Sequence, residues 1–138
     1  MRRRLIVAAA VFAVAVVLPV RAQDARATEA QSAARTWLAL VDGGEGLASY
    51  AAAGARFRET IPGERWVAGL GDARSAFGDL VQRAVVSTKM SRTLPGLPDG
   101  DYATLVFRTA FSKKDLAQEV VTMEFTGNAW KVVGYIIK

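Results

Sequence analysis

The sequence predicts an α+β domain: about three N-terminal helices packed on one face of a four-stranded antiparallel meander sheet. Three observations predict it. Apolar residues recur at helical spacing as far as Phe77 and alternate from Gln82 onward. Short turn-rich reversals separate the alternating runs, which pairs neighbouring strands antiparallel. Residues 23–138, 116 in number, are one domain's worth of chain, without repeat, linker or low-complexity tract.

The first helix is expected over residues 29–42. Thr28-x-x-Gln31 has the form of a capping box, in which both side chains satisfy free N–H groups. Ala30, Ala33, Ala34, Trp37, Leu40 and Val41 then make one apolar stripe, and Gly43-Gly44 stops it. Leu47, Tyr50 and Ala51 suggest a short second helix that runs towards Gly54, and Phe57 and Ile61 hint that helix resumes. Trp66, Leu70, Ala73 and Phe77 form the stripe of a third helix, capped by Gly78. Gly69 and Gly71 each cost that helix up to about 1 kcal/mol relative to Ala, so it leans on packing.

The first strand is expected over 82–93, with Ala84, Val86 and Met90 on one side and Arg83, Ser87, Lys89 and Ser91 on the other. Residues 94–101, Leu-Pro-Gly-Leu-Pro-Asp-Gly-Asp, are turn chemistry. The second strand covers 102–111, with Ala103, Leu105, Phe107 and Phe111 in phase. Ser112 to Asp115 turns the chain. The third strand covers 117–126, with Val121, Met123 and Phe125 in phase. Gly127-Asn128 suits a type II′ hairpin, and residues 129–137 close the sheet. That last strand is apolar on both faces: Trp130, Val132 and Ile136 against Val133, Tyr135 and Ile137. Two-sided apolar strands ask for cover on both sides. The opposite face of the sheet, with Tyr102, Thr104, Val106, Val120 and Thr122, is therefore a candidate homodimer surface. A solvated mixed face suits the same residue types.

Residues 1–22 read as a cleaved export signal. Arg2-Arg3-Arg4 is a basic start, Leu5 to Leu18 an apolar run, Pro19 a break, and Val20-Arg21-Ala22 a cleavage site. As a helix, that run spans about 21 Å, short of the ~30 Å hydrocarbon core, which argues against a membrane anchor. Its strong apolarity favours the general export route over the twin-arginine one. The expected location is periplasmic or secreted. Four of the eighteen basic residues lie in the signal and all thirteen acids after it, so the remainder carries fourteen against thirteen, net +1. The basic charge is therefore a feature of targeting and gives no support to nucleic-acid binding.

Several segments resemble the bacterial domain of unknown function 4019 family. They are Trp37-Leu38-Ala39-Leu40-Val41-Asp42, Trp66, Arg74 with Gly78, and Arg83 in the first half. The second half contributes the loop from Leu94 to Tyr102, Glu119-Val120-Val121-Thr122, and Trp130-Lys131-Val132-Val133-Gly134-Tyr135. The resemblance implies an exported, uncharacterised small domain and brings no activity, ligand or catalytic residue. The order of helices and then meander is also similar to cystatin-like and nuclear-transport-factor-like architectures, as a likeness of fold alone.

With no Cys and no His, disulfides, thiol and imidazole catalysis, and metal sites built on those ligands are excluded. No metal and no cofactor is expected. Asp99 and Asp101 read as turn residues before they read as a calcium contact. Two charges stand in apolar phase. Arg74 lies between Leu70 and Phe77, and Glu119 lies two residues before Val121. An unpaired buried charge is very costly, so the two are expected to pair inside or at the mouth of the helix–sheet space. Two readings stay open. The pair fixes how the helix docks, or it anchors a ligand pocket lined by Trp66, Phe107 and Met123. The corresponding functions are a non-catalytic module that binds a small apolar ligand or a protein, an acid–base enzyme using Asp, Glu and Tyr, or a structural homodimer subunit.

Overall fold

The period of the apolar pattern changes at Gly78-Asp79, and the chain changes layer there. The computed structural model describes residues 20–138, with side chains from Asp24 onward. Helices come first: α1 (Val20–Asp42), α2 (Gly46–Ala52), α3 (Ala55–Thr60) and α4 (Gly63–Phe77). The strands β1 (Leu80–Ser91), β2 (Tyr102–Phe111), β3 (Lys114–Thr126) and β4 (Ala129–Ile137) follow. The sheet order is β1-β2-β3-β4 and every neighbouring pair is antiparallel, so the α+β meander is the fold. The export signal expected over 1–22 lies outside the described residues, apart from the backbone of its last three.

The helical layer departs from expectation in two places. The resumption hinted at by Phe57 and Ile61 is a separate helix, which makes four among the described residues. Ala53 and Gly54 are extended between α2 and α3. The Gly54 N–H donates to the Val132 carbonyl at 2.8 Å, so the chain leaves the helix to touch β4. The capping box does not form, because α1 runs straight through it. Thr28 Oγ1 donates to the Asp24 carbonyl one turn back, at 2.9 Å, an alternative open to a hydroxyl inside a helix. Gln31 Nε2 reaches Thr88 Oγ1 instead, at 2.8 Å.

Two glycines fix the joints. Gly78 ends α4 at φ +80°, and a Cβ there would sit 2.1 Å from Ser112 Oγ. Only glycine lets the end of α4 close on the β2–β3 turn this tightly. Gly127 takes φ +66° ahead of Asn128, as the type II′ hairpin asks.

The central strands keep strict alternation. Ala103, Leu105, Phe107, Thr109 and Phe111 of β2, with Ala117, Glu119, Val121 and Met123 of β3, are buried towards the helices. The edge strands do not keep it. A bulge in β1 between Val85 and Ser87 changes the phase, so Arg83 and Val85 face inward before it and Thr88 and Met90 after it. Ala84 and Val86 therefore point away from Met90's side, and Arg83 is not among the outward residues. A bulge in β4 leaves Val133 unpaired between the Met123–Val132 and Thr122–Gly134 pairs. Tyr135 thereby joins Trp130 and Val132 on the helix side, and Ile136 turns outward, the reverse of the single-phase expectation. Bulges concentrate at sheet edges, where they bend the strand and re-aim side chains.

Helices and sheet meet on an aromatic cluster. Trp37 and Trp66 have ring centroids 5.6 Å apart, Phe57 stands edge-on to Trp66 at 5.1 Å, and Tyr135 closes on Trp37 at 5.4 Å. Both indoles are satisfied: Trp37 Nε1 donates to the Ser49 carbonyl and Trp66 Nε1 to Ser49 Oγ, each at 2.9 Å. A buried serine thus takes up the polar edges of two buried tryptophans.

Candidate functional site

A carboxylate on the inner face of a central strand has no water to solvate it, so its neighbours must do so. Glu119 is 0 % exposed. Its Oε1 accepts from Arg83 Nε at 2.8 Å and from Thr109 Oγ1 at 2.6 Å. Its Oε2 accepts from the Tyr135 hydroxyl in a very short contact. Arg83, 8 % exposed, turns its other two nitrogens on Asp42 in a fork of 2.8 and 2.9 Å. Arg74 Nη2 donates to the same carboxylate at 2.8 Å. Glu119–Arg83–Asp42–Arg74 is one chain of alternating charge, two of each sign, drawn from β3, β1, the end of α1 and α4. Thr109 from β2 and Tyr135 from β4 complete it, so every strand contributes.

The electrostatics follow from the geometry. Burial raises the Tyr135 pKa above its ordinary value, and the charge and hydrogen bond of Glu119 push it further. Burial alone would lower the Arg83 pKa. The hydrogen bonds and charges of Asp42 and Glu119 more than reverse that and hold it raised. The Arg74 guanidinium lies over the Phe111 ring, 4.8 Å from its centroid, and its Nη1 is buried without a hydrogen-bond partner.

The expected direct pair of Arg74 with Glu119 is corrected. Both residues stand in the helix–sheet space, but Asp42 and Arg83 lie between them. β1 brings Arg83 inward, and an arginine fork fits the gap between two carboxylates that a single reach from α4 does not fill. The expected shared lining of Trp66, Phe107 and Met123 is also corrected. All three are core side chains. Trp66 lines a cleft of about 310 Å³ between α4 and the end of β4, together with Arg74 and Tyr135. Met123 lines a different, wider groove of about 490 Å³ between α1 and the β3–β4 hairpin. That groove mixes Glu29 with Lys131, and so has no single charge preference. Phe107 lines neither.

Sequence reasoning found Glu119 and Arg74 but missed Asp42, Arg83, Thr109 and Tyr135. The adjacent Val85-Val86 pair was the available signal, since two neighbouring apolar residues in a strand mark a change of phase. Asp101, read as a turn residue, is held by Arg92 at 2.8 Å and Arg26 at 3.5 Å. Tyr50 and Tyr102 donate to backbone carbonyls and act as braces. No group of three or more acids among the described residues is placed to hold a metal ion. No helix of the described residues is long and apolar enough to cross a membrane.

The fold and site define a small helix-on-meander domain with a buried charge chain beside an apolar cleft. The chain belongs to the family described as "Protein of unknown function (DUF4019)", whose model matches residues 33–135. No curated protein and no solved structure matches the chain.

Proposed function

We propose that this domain is an exported, non-catalytic module that binds a small, largely apolar molecule in the cleft between α4 and β4. The observation that carries it is the state of the buried acids. Each oxygen of Glu119 is taken by at least one donor, Asp42 is held by two arginines, and neither carboxylate lines the cleft. Tyr135 does line it, with a raised pKa and its hydroxyl donating a hydrogen bond to Glu119, which suits it poorly to acid–base work near neutral pH. The charge chain therefore supports the cleft wall and leaves the apolar surface of Ile61, Trp66, Leu70 and Ile137 as the contact area. Native mass spectrometry of protein recovered from the exported fraction tests this. The expected result is a chain lacking residues 1–22 that carries a small adduct lost on denaturation. A bare chain that retains Met1 would overturn both export and ligand carriage.

A structural homodimer is the second reading, and the outer face of the sheet favours it. Val106, Val120 and Ile136 are consecutive register partners, and Val86 sits at the β1 bulge beside Val106. Val86 and Ile136 at the two ends of this row are each 60 % exposed. A straight apolar row is its own complement across a two-fold axis. The same native spectrum reads the oligomer, and a monomer at high micromolar concentration removes this reading.

A further inference from the structure

We infer that the outer face of the sheet docks on an anionic lipid surface, with Lys89, Arg108 and Lys138 at the phosphates and Val86, Leu116 and Ile136 in the apolar boundary beneath them. The inference stands apart from the cleft and needs no ligand in it.

Charge is the first support. Residues 23–138 carry fourteen basic side chains against thirteen acids, but not evenly placed. Register turns Arg108 outward between Ala84 and Gln118, and Lys89 outward beside Thr104. Lys138 exchanges both backbone hydrogen bonds with Gln118, at 2.8 and 3.0 Å, which turns it to the same face. All three are exposed, and none has an ion-pair partner among the described residues. From Gln82 to Lys89, and on the strands opposite, no outward residue is an acid. The nearest acids lie at the two ends: Asp115 beside the β2–β3 turn, and Glu124, which Arg56 holds at 2.9 Å. Such a face attracts an anionic surface and repels a cationic one.

The placing of the apolar side chains is the second support. Val86, Leu116 and Ile136 are 60 %, 64 % and 60 % exposed and rise from three different strands. Val86 and Leu116 flank Arg108, and Lys138 lines the same shallow groove. Aliphatic tips and cationic heads are thus interleaved. At a lipid surface the tips enter the acyl boundary, while the stems of lysine and arginine lie along them and hold the charges at the phosphates.

The third support is what the face lacks. A second copy laid on it would bring three cations from each chain together with no outward acid to answer them, and like charges across an interface are costly. A protein partner is gripped by aromatic and arginine anchors, and lysine is depleted in such contacts. Here two of the three cations are lysines. The outward aromatic, Tyr102, is 1 % exposed, with its hydroxyl on the Pro98 carbonyl at 2.6 Å. A lipid surface asks for charge and apolar tips without directed contacts, which is what the face offers.

Co-sedimentation of protein from the exported fraction with two kinds of vesicle tests the inference. One kind is phosphatidylcholine alone, and the other is equal parts phosphatidylcholine and phosphatidylglycerol. Each basic residue near an anionic surface is worth about fivefold in affinity, so the mixed vesicles are expected to bind about tenfold tighter or more. Raising the ionic strength from about 0.1 M to about 1 M shortens the screening length from roughly 10 to 3 Å and is expected to remove most of that preference. Arg108→Glu is expected to weaken binding to the mixed vesicles about tenfold or more. Arg65→Glu makes the same change of charge at an exposed position of the helical layer and is expected to leave binding within about twofold. Should Arg108→Glu not fold, Lys89→Glu takes its place. Equal binding to both vesicles, or to neither, would overturn the inference. So would equal losses from Arg108→Glu and Arg65→Glu, which would show a response to net charge and not to this face. Binding to soluble polyglutamate but to no vesicle would assign an acidic protein partner instead. A dimer without lipid that Val86→Thr with Ile136→Thr dissolves would give the face to a second copy, and either result would overturn the lipid surface.

Discussion

The two faces of the sheet invert the usual assignment of polarity. The face covered by helices contains a buried chain of four charges, whereas the face without helices carries a row of β-branched apolar residues. On the inner face each charge is specific: remove one and its neighbour is left unsolvated in a low-dielectric space. On the outer face each valine is interchangeable, because its burial is partial and no directed contact depends on it. The comparison teaches where specificity resides. Inner residues determine how α1 and α4 dock on the strands, and outer residues determine only what the sheet can meet.

The largest expected effect breaks the inner chain. Arg83→Met leaves Glu119 and Asp42 buried without their shared cation and is expected to cost about 3–5 kcal/mol in urea denaturation. Adding Glu119→Leu should recover part of that loss, as strong coupling in a double-mutant cycle. An Arg74→Met, Glu119→Leu cycle should couple more weakly, because Asp42 and Arg83 intervene. Equal coupling in the two cycles would mean that the order of the chain is wrong.

Tyr135→Phe comes next, and it separates the hydroxyl from the ring. Loss of the donor to buried Glu119 should cost about 1–3 kcal/mol at neutral pH. The pH dependence has a definite sign. The folded pKa of Tyr135 is raised, by burial first and by Glu119 second. Its contribution is therefore complete below the unfolded value of about 10 and falls as pH climbs beyond it. The unmodified chain should lose up to about 1.4 kcal/mol per pH unit more than Tyr135→Phe above pH ~10. Parallel alkaline melting curves for the two would remove this assignment.

The smallest effect belongs to the outer face. Val86→Thr with Ile136→Thr should change the stability of a monomer by about 0.5 kcal/mol or less. A larger loss that grows with protein concentration would mean that the row is buried against a second copy, and sedimentation of both forms would show it.

Much of the fold was legible. Trp37 and Val41 on one helical stripe, the alternation of β2 and β3, and the turns at 94–101 and 127–128 each follow from local rules that agree with one another. Half of the charge chain was legible too, since Glu119 between Ala117 and Val121 has no outward option in a strand. Its partners were not. The alternation rule holds along a strand only until a bulge resets it, and both edge strands carry one. Arg83 and Tyr135, the two groups that grip Glu119 from β1 and β4, are the residues whose facing those bulges decide.

Sequence alone determined the order of layers, the antiparallel pairing, the exclusion of cysteine and histidine chemistry, and the need for a partner to Glu119. Those depend on residue type and on periodicity within single elements. Tertiary structure decided which cation answers which acid, that Asp42 at the end of α1 belongs to the chain, and that Trp66 and Arg74 share a cleft while Met123 does not. The physical reason is distance along the chain. Glu119 and Arg83 are 36 residues apart, and Arg83 and Asp42 41 apart. Such contacts are fixed by strand register, by the bulges of the edge strands and by how α1 and α4 settle on the sheet. Of these, only the β1 bulge leaves a mark in local spacing, the adjacent Val85-Val86 pair.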